Sequence, residues 1–398
     1  MSEKKFICTA CGTSFPIRKN ISRCPKCHEP LEVEEFFSTE ICAEETSDIF
    51  KRYKNFFPFK SCSDTFSLGE GMTPLLSSPS LSKKLGVHNV FLKNETVNPT
   101  WSFKDRGTAS ALRHAVELGF HRIGTVSTGN MAASVAAFGA RANLETTILV
   151  KEDLPIEKLN PIAIYNARVV KVYGDYSLLY EESLRLGEKY GIYFMNSDVP
   201  FRVEGSKTIA FEICEQTKFN VPDVVIVPTS AGGNIRGIEK GFREFYKSGL
   251  IPHMPLIVAA QAEGCAPIVE AYKKNANSIE RFPSPHTIAH AIENPFPPSG
   301  NQVLRVLSRQ KGVAVAVPEK EILQAQRELA GTGLFVQPAS AVSLAAIPIL
   351  IERGIVTSNQ QVACILTGSG LKYTAAFEAH KLTSEDVNID SLEDCVRV

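Results

Sequence analysis

The sequence predicts an α/β fold of two open parallel-sheet domains behind a small N-terminal element held by cysteines. Three observations carry that prediction. Short β-branched runs alternate with helix-length segments from about residue 90 to residue 366, and that alternation builds a parallel sheet covered on both faces. A chain of 398 residues exceeds one compact core, so two large domains are the natural division. Finally, Cys8, Cys11, Cys24 and Cys27 form C-x2-C-x12-C-x2-C, a spacing that closes a compact ribbon.

Taken in chain order, the two cysteine pairs suit tetrahedral thiolate ligation of zinc. Gly12 and Pro25 beside them fit the tight turns this requires. Neither acidic nor histidine-rich surroundings mark an open site, although His28 follows Cys27, so the zinc is read as structural; the alternative is a ribbon fold that carries no metal. Cys42, Cys62, Cys214, Cys265, Cys364 and Cys395 are scattered and read as small apolar fillers. Residues 32–67 read as a connecting segment packed on the body. Then come a strand at 90–93, a helix at 105–118, a strand at 123–127, a helix at 130–141, a strand at 146–150, a helix from 156 and a strand at 169–173. Further strands are expected at 224–228, 257–261, 313–317 and 362–366. The expected units are a ribbon over 1–40, a linker and first α/β domain over 41–215, a second α/β domain over 216–385, and a tail over 386–398.

Composition excludes several roles. Lys plus Arg and Asp plus Glu number 43 each, so no net field draws nucleic acid or an anionic membrane surface. The longest apolar run, 342–351, is broken by Ser343 and Pro348 and is too short for a membrane span. The N-terminus lacks the apolar core of a signal peptide, and a cytoplasmic enzyme is the expectation.

Chemistry concentrates at Asn98-Pro99-Thr100-Trp101-Ser102-Phe103-Lys104-Asp105-Arg106-Gly107. Asn98-Pro99 is a turn signal. Ser102 and Asp105 have the spacing of a capping box, which places Lys104 in the first turn of a helix. The positive end of the helix dipole opposes its charge, and partial burial would lower its pKa toward a nucleophilic amine. The other reading is a solvated lysine paired with Asp105. Three loops follow strands at their carboxyl ends, where parallel sheets bind ligands. Ser127-Thr128-Gly129-Asn130 precedes a helix and suits an anion or phenolate, or is an N-cap cluster. Thr229-Ser230-Ala231-Gly232-Gly233-Asn234 lets backbone N–H groups converge on a phosphate. Thr367-Gly368-Ser369-Gly370 is a weak motif by itself. In the segment 196–208, Arg202 offers a fork for a phosphate dianion with Asn196 and Ser197 as neutral donors. Its alternative is a pairing with Glu204, and Lys207 reads equally as a solvated helix lysine.

The decapeptide resembles the Schiff-base lysine motif of the threonine synthases, N-P-T-G-S-F-K-D-R-G. These are pyridoxal 5'-phosphate (PLP) enzymes of fold type II, the fold of the tryptophan synthase β subunit. The other loops resemble that family's motifs in the family's order, as do Leu68-Gly69-Glu70-Gly71-Met72-Thr73-Pro74-Leu75, Gln261-Ala262-Glu263-Gly264 and Pro338-Ala339-Ser340-Ala341. The resemblance implies that Lys104 carries the cofactor and moves protons, and that Asn130 bonds the cofactor's 3'-oxygen. It implies that Ser230, Ala231, Gly232, Gly233 and Asn234 cradle the 5'-phosphate. Thr367 would face the pyridine nitrogen, and Asn196, Ser197 and Arg202, with Ser127 and Thr128, would meet the substrate's phosphate. Trp101, Val199, Ser230-Ala231 and Ser369 depart from the family pattern, and Trp101 is expected to narrow the substrate space or reshape its loop.

The function so implied is conversion of O-phospho-L-homoserine and water to L-threonine and phosphate, a carbon–oxygen lyase reaction on a phosphorylated amino acid. The alternatives are phosphoserine-dependent β-replacement, a threonine or serine dehydratase, and a catalytically silent PLP-fold binding protein. No nucleic-acid or membrane partner is expected, and a homodimer is left open.

Overall fold

The computed structural model describes residues 4–382 and 389, apart from 19, 43–45, 61–64, 128, 155, 174–177 and 375. Cys62 and Cys395 therefore lie outside the described residues. The N-terminal ribbon is a three-stranded antiparallel sheet of β1 (Lys5–Cys8), β2 (Ser14–Pro16) and β3 (Leu31–Val33), in the order β2-β1-β3.

The rest of the chain builds β4 (Leu75–Ser77), β5 (Asn89–Asn94), β6 (Arg122–Val126), β7 (Glu145–Lys151), β8 (Arg168–Val172), β9 (Tyr193–Phe194), β10 (Val224–Pro228), β11 (Leu256–Ala262), β12 (Val313–Val317) and β13 (Gln361–Leu366). Four of these form a parallel sheet, β8-β7-β6-β9. Six form a larger sheet, β12-β11-β10-β13-β5-β4, parallel except where β4 runs against β5. The strand β5 precedes the small sheet in sequence yet pairs with β13 of the large one, from Gln361 opposite Asn89 to Leu366 opposite Asn94. The two sheets are thus crossed by the chain twice.

Strand β10 reads Val-Val-Ile-Val-Pro and is buried along its whole length, as a strand covered on both faces must be. The apolar run 342–351 lies in the helix Pro338–Glu352, most of which is buried against the large sheet. Residues of the ribbon, Phe6, Leu31 and Val33, join the same apolar core as Phe201 and Phe211.

The helices Lys104–Glu117 and Pro200–Gln216 cross closely enough that a Cβ on Gly205 would stand 2.1 Å from the Arg106 carbonyl oxygen. A Cβ on Gly107 would stand 3.0 Å from the Arg202 carbonyl oxygen. This crossing sets Lys104 beside Arg202. Gly205→Ala is expected to cost about 1–3 kcal/mol by overpacking, read as a lower urea midpoint. Below the crossing, Arg106 is wholly buried and donates to Glu95 at 2.6 Å and to Glu212 at 2.7 Å, while Lys93 donates to Glu212 at 2.7 Å. These ion pairs lock the lysine helix to β5 and to the helix Pro200–Gln216.

Candidate active site

Five loops leave the carboxyl ends of β5, β6, β9, β10 and β13 and converge on a cavity of about 320 Å³. Lys104, Ser127, Asn130, Ser197, Arg202, Gly232 and Thr367 all line it, as do Ser230, Ala231, Gly233 and Asn234. Thr128 lies outside the described residues.

Lys104 is the first residue of its helix, but the capping box predicted from Ser102 and Asp105 is not what starts it. The N-cap is Phe103, without a side-chain cap. Asp105 turns back instead to accept from the Thr100 amide at 2.7 Å and the Thr100 hydroxyl at 2.6 Å, so it is unavailable both as a cap and as a partner for Lys104. Ser102 is buried and faces Gly368 in an isolated bridge. The ammonium of Lys104 sits 4.4 Å from the centroid of the Phe103 ring. Burial, reinforced by the nearby charge of Arg202, lowers its pKa to about 7.

Arg202 does not make the alternative pairing with Glu204. The Glu204 carboxylate is taken by Lys207 and Lys240, and among the described residues no carboxylate lies within ion-pair distance of Arg202. The guanidinium donates to the Thr108 hydroxyl at 3.0 Å and to the Lys104 carbonyl at 3.4 Å. It is buried, and burial lowers its pKa to about 10. A buried cation held only by neutral acceptors is suited to receive an anion. Lys207 is not a solvated lysine either. It is fully buried, donating to Glu204 and to the Phe56 carbonyl, both at 2.6 Å.

Asn196 is the predicted anion contact that the fold places elsewhere. Its side chain accepts from the Val126 amide at 3.0 Å and donates to the Ser183 hydroxyl at 2.9 Å, so it ties the end of β6 to the substrate segment and is not among the cavity-lining residues. Ser197, next in sequence, does line the cavity.

In the loop after β10, Gly232 takes φ +94° and caps the helix Gly233–Lys247 without a side chain. A Cβ there would strike Val303 and Ser299 at 2.8 and 2.9 Å. The first N–H groups of that helix are thus left for a ligand. Asn234 is buried with neither amide atom partnered. Thr367 shares its hydroxyl with Ser340 at 2.9 Å, and Ser340 also accepts from the Gly368 amide at 2.9 Å. Asn130 donates to Gln337 at 3.2 Å.

Trp101 adopts φ +62°, the left-handed region its glycine counterpart would enter freely, at a cost of about 1–2 kcal/mol. Its amide donates to the Asn98 carbonyl at 2.7 Å and its carbonyl accepts from Ser369 at 3.0 Å. Trp101 is 52% exposed and is not among the cavity-lining residues.

Sequence reasoning missed the segment His290 to Asn294. It lines the cavity, with His290 bonded to Glu293 at 2.6 Å. Glu293 is the sole carboxylate among the described lining residues. The turn signal Asn294-Pro295 was the available hint. In the ribbon, the four cysteine sulfurs lie within 4.8 Å of one another. The left-handed position that follows each pair is filled by Gly12 in the first and by His28 in the second, at φ 69° and 57°.

A family model described as pyridoxal-phosphate dependent enzyme matches residues 66–368. The chain is similar to the threonine synthase of Methanocaldococcus jannaschii, 39% identical over 392 residues that cover 96% of each protein. It is similar to that of Methanosarcina acetivorans, 35% identical over 400 residues and 98% of each. Among solved structures, maize serine racemase superposes with a TM-score of 0.64 at 21% identity, over 82% of this chain and 92% of that one, a likeness of fold. With the family model spanning most of the chain and these relatives nearly all of it, the chain belongs to the pyridoxal-phosphate dependent enzymes, in the threonine synthase family.

Proposed function

We propose that this chain converts O-phospho-L-homoserine and water to L-threonine and inorganic phosphate, using PLP attached to Lys104. The observation that carries the reading is Arg202, a buried guanidinium without a carboxylate partner among the described residues, donating to the backbone of the residue that would hold the cofactor. The cavity fits the cofactor on its own terms. Asn234 is buried with no partner among the described residues, the Gly232 turn has no side-chain cap on the helix it starts, and Thr367 and Ser340 offer a neutral hydroxyl pair suited to a ring nitrogen.

When bound, PLP supplies an electron sink for the bonding electrons released at the substrate's Cα. The residues supply the rest. Gly232, Gly233 and Asn234, with Ser230 and Ala231, hold the 5'-phosphate, and Asn130 orients the 3'-oxygen. Thr367, a neutral hydroxyl, would face the ring nitrogen without keeping it protonated, which would favour elimination and replacement over stronger electron withdrawal. Lys104, once the substrate amine has displaced it from the cofactor, would take the proton from Cα and then from Cβ, a task its lowered pKa suits. Arg202 and Ser197, with Ser127 and Thr128 as further donors, hold the substrate phosphate. They stabilise it as the Cγ–O bond breaks and the phosphate leaves with the bonding pair. The two protons taken by Lys104 would return to Cγ, giving the methyl group, and finally to Cα; between these steps water would add its hydroxyl at Cβ and lose its other proton to the released phosphate.

The test is release of phosphate and L-threonine by the PLP-loaded protein from O-phospho-L-homoserine, with O-phospho-L-serine as the competing substrate. Product from the former alone supports the reading.

We also propose that Cys8, Cys11, Cys24 and Cys27 hold one structural zinc. The pairs Cys8–Cys27 and Cys11–Cys24 stand 3.4 and 3.7 Å apart, close to the edge of about 3.8 Å for a tetrahedron of Zn–S bonds near 2.3 Å. Elemental analysis is expected to find one zinc per chain in the wild type and none in Cys24→Ser, with a lower thermal midpoint for the variant.

A further inference from the structure

The ribbon grips the walls of the cavity on both sides. Arg23, adjacent to Cys24, donates to the Asp198 carboxylate at 2.7 Å, to the Pro298 carbonyl at 3.1 Å and to the carbonyl of His28 at 2.9 Å. Asp198 is fully buried and also accepts from the Tyr180 hydroxyl. It lies between Ser197, which lines the cavity, and Val199, whose carbonyl accepts the Arg202 amide at 2.9 Å. On the other side, Glu32 of β3 accepts from Arg236 at 2.9 Å, and Arg236 donates to the Ser299 hydroxyl at 2.9 Å. The Ser299 amide in turn donates to the Ala231 carbonyl at 3.1 Å.

We propose that Arg23 is a positioning residue for the substrate-anion segment Ser197 to Arg202, acting through Asp198, and that it thereby couples the folded ribbon to anion binding. The proposal rests on the reading of that segment as the substrate's phosphate site. A buried carboxylate deprived of its cation is left with one neutral donor and relieves its desolvation by moving toward water. Asp198 cannot move without carrying Ser197 and Val199 with it. The room for that motion is small, since the Ser197 carbonyl oxygen already stands 2.5 Å from where a Cβ on Gly233 would be. The loops carrying Lys104 and Thr367 leave other strands, and Gly233 of the loop after β10 is the neighbour that Ser197 meets, so the displacement falls first on the anion subsite.

The experiment compares PLP-loaded wild type, Arg23→Ala, Asp198→Asn and the double variant. Inorganic phosphate is the binding probe, measured by calorimetry, alongside KM and kcat for O-phospho-L-homoserine, the PLP dissociation constant and the thermal midpoint. Arg23→Ala is expected to weaken phosphate binding and raise KM by about tenfold or more, with kcat and PLP affinity nearly unchanged. Adding Asp198→Asn removes the stranded charge and restores most of the loss, a non-additivity that a purely structural staple would not show. If Arg23→Ala does not yield folded holoenzyme, Arg23→Lys, which keeps the charge on Asp198 and loses the planar fork, is expected to fall between the two.

Phosphate affinity and KM equal to wild type would overturn the proposal. So would a loss that follows PLP release or that the second substitution leaves unrelieved. A wild type that binds no phosphate overturns the substrate reading together with it, whereas phosphate binding in both wild type and Arg23→Ala overturns the positioning role alone.

Discussion

Lys104→Ala is expected to leave a folded protein that no longer holds PLP by a borohydride-reducible covalent link and loses at least about 10³-fold in turnover. The fold should survive, because the buried pairs of Arg106 with Glu95 and Glu212 anchor the helix and do not involve Lys104. The variant also has a pH counterpart in the wild type. Burial and the Arg202 charge hold the Lys104 amine at a pKa of about 7, so the neutral, nucleophilic form grows as pH rises through 7 and is lost below it. Attachment of PLP to the cofactor-free protein should therefore accelerate with a midpoint near that pH. An ordinary lysine would show no such midpoint below about 10. Rates of chromophore formation across pH 5.5 to 9 check this, on the order of the range over which the amine titrates.

Arg202→Gln is expected to have the second largest effect. It should weaken the phosphorylated substrate by about 2–5 kcal/mol, the range seen when one member of a buried charged pair is removed. It should leave PLP binding nearly intact, since the Arg202 side chain bonds to Thr108 and to the Lys104 carbonyl and not to the cofactor phosphate loop. It also removes the positive neighbour that assists burial in lowering the Lys104 pKa, so the attachment midpoint should move upward. It should stay below the value of a free lysine, because burial is the larger cause. Steady-state kinetics with O-phospho-L-homoserine and the same pH series test both parts. An unchanged KM would remove Arg202 from the anion site.

How much of this was legible in the sequence varies with the distance over which each signal acts. Strand β10 and the helices Asn130–Arg141 and Lys104–Glu117 were readable, because apolar runs and helix-forming composition are local. Short β4 and β9 carry too few residues for a periodic signal. That β5 belongs with β13 is a long-range pairing invisible to local pattern. At the site, the loops at strand ends and Lys104, Arg202, Gly232 and Thr367 were recognisable from residue type and position. Asp105 looked like a cap and became the partner of Thr100, since competing acceptors cannot be ranked without coordinates. Asn196 and Lys207 looked like ligand contacts or solvent groups and proved to be buried ties. Arg23 gave no signal at all, because its meaning depends on Asp198, 175 residues away in sequence.

The central claim is that Lys104 and Arg202 together hold a cofactor and a phosphorylated four-carbon amino acid in one cavity. The most direct test is to quantify phosphate and L-threonine formed from O-phospho-L-homoserine by the PLP-loaded protein, with O-phospho-L-serine as the comparison. Equimolar phosphate and L-threonine, a higher kcat/KM for phosphohomoserine, and loss of both products in Lys104→Ala are expected. Absence of phosphate release, or a preference for phosphoserine, would contradict it.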